Sequence, residues 1–226
     1  MNIITIDGPS GAGKTTISSI LAKKYDMFHL KGGIFFRSFT YFINKNNINF
    51  QDKDSIIKHL KNFNLSIETS NDDDYNILIN KEKINSSDIW NKEIDKVVPF
   101  IANYKEVRNT RMNKLRNISK NLNVIADGRA LGTEVFPNAT IKFFLTASFE
   151  ERVKRKSIFY KDSDIKELSR IIKDKDSLDE NNELLNKFQI PNDSIYLDST
   201  SLDIDSIIDK MIKIIDNKLL GKKIGL

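Results

Sequence analysis

Short apolar runs alternate along the chain with stretches whose apolar residues recur every three or four positions, the pattern of parallel strands joined by crossover helices. Ile3-Ile4-Thr5-Ile6 predicts a first strand, and behind it Ile17, Ile20, Leu21 and Tyr25 are expected to share one helix face. Further strands are predicted at Leu122 to Ala126, Ile141 to Leu145 and Ser194 to Leu197. The last helix carries the plainest stripe: Ile204, Ile207, Ile208, Met211, Ile215 and Leu219. Thr200, three residues before Asp203, offers it a capping-box start. Between Lys58 and Asp95 the pattern changes. Leu65 to Thr69 and Tyr75 to Ile79 read as strands on either side of the turn-forming run Ser70-Asn-Asp-Asp-Asp, so this stretch is expected to be a small hairpin-bearing insert and not a second domain.

The chain has 226 residues, which suits one core with excursions. Its 39% apolar share can fill that core, and its 30% charged share suits a solvated surface. The net charge of +5 comes from 36 basic and 31 acidic residues interspersed along the chain, which gives little support to a nucleic-acid-binding stripe. A solvated lysine-rich face and the handling of several phosphates both account for the excess. The lack of cysteine removes disulfides, thiolate zinc sites and cysteine nucleophiles together. The two histidines, His29 and His59, are read as structural and not as metal ligands. Met1 to Asp7 reads directly as a strand with no signal core, and no apolar run is long enough for a bilayer. A cytoplasmic enzyme with no membrane partner is the expectation.

Gly8 to Thr16, GPSGAGKTT, contains G-x-x-x-x-G-K-[ST] between an apolar strand and an amphipathic helix, the context a phosphate-binding loop requires. Gly8, Gly11 and Gly13 let the backbone bend closely around phosphate oxygens, with Pro9, Ser10 and Ala12 between them. The successive N–H groups and the helix N-terminus supply a positive concavity. Lys14 can bridge β- and γ-phosphates, and Thr15 or Thr16 can place a hydroxyl on Mg²⁺. ATP and Mg²⁺ are therefore the expected cofactors. No Asn-Lys pair is followed by Asp two residues later, which disfavours guanine-nucleotide switching. The polar stretch from Ser148 to Lys175, rich in both charge signs, is a candidate for a mobile lid over the phosphates.

Asp127, at the end of a predicted strand beside the first, would put a carboxylate near metal and phosphates, although a turn or cap role would leave the same trace. Arg129 has a fork of donors that suits an acceptor phosphate, or equally a surface ion pair. Arg152 and Arg155, three apart, would share a helix face and close on transferring phosphates, or stand solvated there.

GPSGAGK, VIADGRALGTEVFP from Val124 to Pro137, and YLDST from Tyr196 to Thr200 together resemble the bacterial cytidylate (CMP) kinases over essentially the whole chain. The middle motif is the specific one. The resemblance implies ATP-dependent phosphorylation of CMP or dCMP by a monomer whose partners are small nucleotides. It assigns Arg37, in GGIFFRS, to the acceptor phosphate, Arg108 to the cytosine edge, and Asp179 to the ribose on the lid side. The expected architecture is α/β, a three-layer P-loop NTPase fold with a five-stranded parallel sheet. Its core takes residues 1–30, 105–147 and 190–226, a β-containing acceptor region 31–104, and a lid 148–189.

Most departures from the family pattern fall on the acceptor side. Lys31 and Gly32 replace Asp and Ser or Thr, Phe36 replaces Tyr, Pro99 replaces a Ser assigned to cytosine, and Ala130 replaces the Asp after the arginine. Lys175 and Asn182 stand where lid arginines are usual. A CMP kinase with relaxed or slow activity fits this pattern, as does a kinase of another acceptor, such as a hydroxyl-bearing small molecule, or a non-catalytic ATP-binding module.

Overall fold

In a computed structural model, residues 1–69, 75–159, 164–181 and 190–221 are described. They form two compact units, one of Met1–Lys31 with the described residues from Asn121 onward, the other of Gly32–Lys120.

The first unit is built on five parallel strands in the order β2-β6-β1-β7-β8: β1 (Ile3–Asp7), β2 (Phe28–Lys31), β6 (Val124–Gly128), β7 (Ile141–Thr146) and β8 (Ile195–Asp198). The three inner strands are almost wholly buried, as sheet covered on both faces must be, and so they read as unbroken apolar runs. Helix α1 (Lys14–Tyr25) and helix α9 (Ile204–Leu220) pack together on this sheet. Ile17, Leu21, Ile207, Met211 and Ile215 meet Ile4, Ile6 and Phe143 in one core. Two details depart from the sequence pattern. Ile20 is 41% exposed, and the buried face of α1 runs through Ile17, Ser18, Leu21 and Ala22. Helix α9 is capped by Asp203, whose carboxylate accepts the Ser206 N–H at 2.7 Å, while Thr200 donates its hydroxyl to Asp198. Ile204 is accordingly exposed, lying at the very start of the helix. Helices α7 (Phe149–Phe159) and α8 (Ile165–Asn181) occupy the stretch expected to form a lid.

The second unit holds a three-stranded antiparallel sheet of β3 (Leu65–Thr69), β4 (Tyr75–Ile79) and β5 (Glu82–Ile84). The expected turn at residues 70–74 lies outside the described residues. Strand β5, absent from the sequence reading, is joined to β4 by Asn80 and Lys81 at φ 52° and 72°. Two residues with positive φ are what a tight hairpin turn matching the strand twist demands. Around this sheet stand α2 (Ile34–Lys45), α3 (Lys53–Leu60), α4 (Ser86–Ile89), α5 (Lys92–Ala102) and α6 (Lys105–Ile118). Phe35, Phe39 and Phe63 interlock in the core of this unit at centroid separations of 5.0 to 6.3 Å.

Candidate active site

The loop from Gly8 to Gly13 leaves β1 and opens α1, with Gly8, Gly11 and Gly13 at φ of 153°, 83° and 90°. Two of these positions exclude any side chain. A Cβ at Gly8 would lie 1.9 Å from the Leu145 carbonyl oxygen, and one at Gly11 would lie 2.7 Å from that of Arg152. Helix α1 has no side-chain cap, so its first amides are left to whatever anion sits in the loop. The Lys14 ammonium is buried and donates to the Pro9 carbonyl at 2.7 Å, across the loop that it would share with phosphate.

Strand β6 lies directly beside β1, with Asp127 in register with Ile6. This brings Asp127 to the carboxyl edge of the sheet, where ligands of open α/β folds bind. Of the two hydroxyls that follow Lys14, the Thr15 hydroxyl donates to Asp127 Oδ2 at 2.7 Å. The other carboxylate oxygen, Oδ1, lies 2.7 Å from His29 Nε2. A hydroxyl and a carboxylate are hard oxygen donors of the kind Mg²⁺ prefers. Among the described residues no cluster of three or more His, Cys, Asp or Glu could hold a metal alone. Mg²⁺ completed by substrate phosphates and water needs only one or two protein oxygens, so Thr15 and Asp127 fit it.

Both α7 arginines brace the loop from outside. Arg152 donates to the carbonyls of Ser10 at 3.1 Å and Ala147 at 3.2 Å. Arg155 donates to Ala12 O at 3.3 Å, to Ser199 Oγ at 2.9 Å and to Ser199 O at 2.7 Å. Asp176 on α8 draws two arginines together, pairing with Arg152 at 2.7 Å and with Arg129 at 3.4 Å. The Asp176 carboxylate therefore bridges two guanidinium groups. Asp7, buried, accepts the N–H groups of Leu131 and Gly132 at 2.8 and 2.7 Å and so fixes the π-helical turn Leu131–Val135 that follows Arg129. Asp198 accepts the hydroxyl and the N–H of Thr200, and these bonds hold its carboxyl below the usual carboxylate range.

In the second unit Arg37 is held at three points. Its guanidinium donates to Asp95 at 2.5 Å and to the Ile89 carbonyl at 3.1 Å, and its face lies 4.2 Å from the Trp90 ring centroid. Arg108 is buried on α6. Arg111 donates to Gly32 O at 3.3 Å and stacks over Phe36, the aromatic that stands in the family's Tyr position. Pro99 lies inside α5 and offers no N–H there. The Asp179 and Lys175 side chains and all of Asn182 lie outside what is described.

The cytidylate kinase family model matches residues 4–217. The chain belongs to the cytidylate kinase family. It is 36% identical to a cytidylate kinase of Fusobacterium nucleatum subsp. nucleatum over 222 residues, 95% of this chain and 97% of that one. It is also 36% identical to the cytidylate kinase of Alkaliphilus oremlandii, over 94% of this chain and 96% of that one. A bifunctional pantoate ligase/cytidylate kinase of Prochlorococcus marinus is 32% identical, and there the match spans 43% of the longer protein. Among solved structures, an uncharacterized protein from Eubacterium ventriosum superposes with a TM-score of 0.55 at 15% identity, covering 96% of this chain and 99% of that one, a likeness of fold.

Sequence reasoning read His29 as structural and passed over Asp7, Asp176, Asp95, Trp90 and Ser199. Only Ser199, inside the quoted YLDST motif, carried a local signal.

Proposed function

We propose that this family member is an ATP-dependent nucleoside monophosphate kinase that converts CMP and dCMP to CDP and dCDP. The observation that carries the reading is the loop itself: two glycines that admit no Cβ, an uncapped helix N-terminus, and Lys14 with Thr15–Asp127 on the same sheet edge.

Residues 8–16 bind the ATP phosphates through backbone N–H groups. Lys14 leaves the Pro9 carbonyl and places its charge on the β- and γ-oxygens. Thr15 and Asp127 would hold Mg²⁺, which would supply positive charge to neutralise the phosphates. Arg37 and Arg129 grip the acceptor's phosphate, Arg108 the base and Asp179 the ribose. An oxygen of the acceptor monophosphate attacks the γ-phosphorus, the bond from that phosphorus to the β–γ bridging oxygen breaks, and ADP leaves with the bond electrons. A monophosphate dianion is already nucleophilic, so no side chain need remove a proton. What the protein contributes is position and charge. Arg152 and Arg155 serve by keeping the loop in shape through its carbonyls.

The test is ADP release from ATP and Mg²⁺ with CMP, dCMP, UMP, dTMP, AMP, GMP and shikimate in parallel. Turnover on CMP and dCMP above the others is expected. Turnover on shikimate alone, or none with tight ATP binding, would overturn the reading.

A further inference from the structure

We infer that His29 is a positioning residue for the metal site: its imidazole fixes the Asp127 carboxylate so that the Thr15 hydroxyl and Asp127 present a rigid pair of oxygens to Mg²⁺. The inference rests on the metal role just proposed for that pair.

Strand β2 pairs in parallel with β6, with His29 opposite Ile125 and Lys31 opposite Asp127. Residues two apart on a strand point to the same face, and so do residues paired in register. His29 therefore shares a sheet face with Asp127 and stands one pleat before it, close enough for its Nε2 to meet Oδ1 at 2.7 Å. An ionised carboxylate only accepts, so Nε2 carries the hydrogen and donates it. Oδ2 accepts from Thr15 Oγ1 at the same 2.7 Å. Each carboxylate oxygen thus has its own donor, and both torsions of the Asp127 side chain are fixed. The imidazole and carboxylate are 12% and 8% exposed, so little water competes for either. A partner behind a ligating carboxylate fixes ligand orientation before the metal arrives, and loss of such a partner typically costs about ten- to a hundredfold in metal affinity or activity. A histidine that only filled space would leave Oδ1 without this donor, and the strand could have carried an apolar residue there.

The measurement is calorimetric binding of ADP with and without Mg²⁺ to the full chain, alongside melting temperatures. The tightening of ADP binding by Mg²⁺ is the readout, and it does not depend on turnover. His29→Ala is expected to reduce that tightening about tenfold while metal-free ADP binds as in the wild type. His29→Gln, which keeps an N–H donor at similar reach, is expected to restore most of it. His29→Phe keeps the ring's bulk without the donor, so it should behave like His29→Ala and supplies the answer if the smaller residue unfolds the strand. Unchanged Mg²⁺ dependence in His29→Ala and His29→Phe would overturn the inference. Equal weakening of metal-free and metal-bound ADP would do so as well, since it would mean that His29 only packs. If the wild type showed no tightening by Mg²⁺, the metal reading of Thr15 and Asp127 would fail first.

Discussion

The buried Lys14 ammonium would be costly to leave unpaired, and the Pro9 carbonyl of the same loop accepts from it. A charged phosphate oxygen is a stronger partner for an ammonium than a neutral peptide oxygen, which favours phosphates at Lys14. Lys14→Ala is expected to lower kcat by about 10² to 10³, the usual effect of removing one electrostatic contact to a developing charge. Steady-state kinetics would measure it, with circular dichroism confirming that the fold is kept; near-normal kcat would mean that Lys14 is not at the phosphates. The residues singled out in the sequence share one property with Lys14, which is that each sits in a short local motif. Gly8 to Thr16 act as one contiguous loop, and Asp127 and Arg129 lie in one short motif. His29 meets Asp127 from 98 positions away, Asp95 meets Arg37 from 58, and Asp176 meets Arg129 from 47. No periodicity or spacing connects such pairs, and only folding brings them together.

At the scale of elements, legibility followed burial. The inner strands β1, β6 and β7 are buried on both faces and were read from their apolar runs within about two residues at either end. The edge strand β2, Phe-His-Leu-Lys, is short and only partly buried, with polar residues in half its positions, and β5 has three residues of which one is buried. Neither leaves an apolar run. The α9 stripe was read correctly through Ile207, Ile208, Met211 and Ile215, but its start was misplaced, because Thr200 and Asp203 are both competent caps and the Asp198 carboxylate engages Thr200 first. The Asp203 cap carries a pH dependence. Its carboxyl is held below the usual range by the Ser206 N–H and hydroxyl, so the unfolded chain takes up its proton at higher pH than the folded chain does. The cap therefore stabilises above the unfolded value of about 4, and that stabilisation is lost as pH falls through the lower folded value. Asp203→Ala should melt below the wild type at pH 7, with the difference closing below about pH 4. A difference in melting temperature that stayed constant down to pH 2.5 would show that the charge on Asp203 contributes nothing to the cap.

For the whole molecule, a phosphate-binding loop leaves the plainer trace in sequence because such a loop works largely through its backbone, whose geometry glycine spacing announces. An acceptor base is read by side chains scattered through the chain, and here those positions depart from the family pattern. Discrimination between CMP and UMP turns on one edge: cytosine presents an exocyclic amine where uracil presents an oxygen. A polar group committed to that amine is left unpaired by UMP, and such sites discriminate by about 10⁴ or more, whereas apolar sites manage about 10². Pro99 supplies neither hydroxyl nor N–H. Ala130 has no polar side chain, and its carbonyl oxygen already accepts from Glu134 N at 2.9 Å and Thr133 Oγ1 at 3.3 Å. With no side-chain acceptor for the amine at either position, kcat/KM for CMP should exceed that for UMP by about a hundredfold or less. Ala130→Asp, which returns the family's carboxylate to that position, should widen the ratio, and it should do so by lowering turnover on UMP as well as by improving CMP, because an unpaired acceptor penalises the wrong base. Measured ratios for the two nucleotides in both proteins decide the matter. A wild-type ratio of 10⁴, unmoved by Ala130→Asp, would place recognition of the amine on other groups.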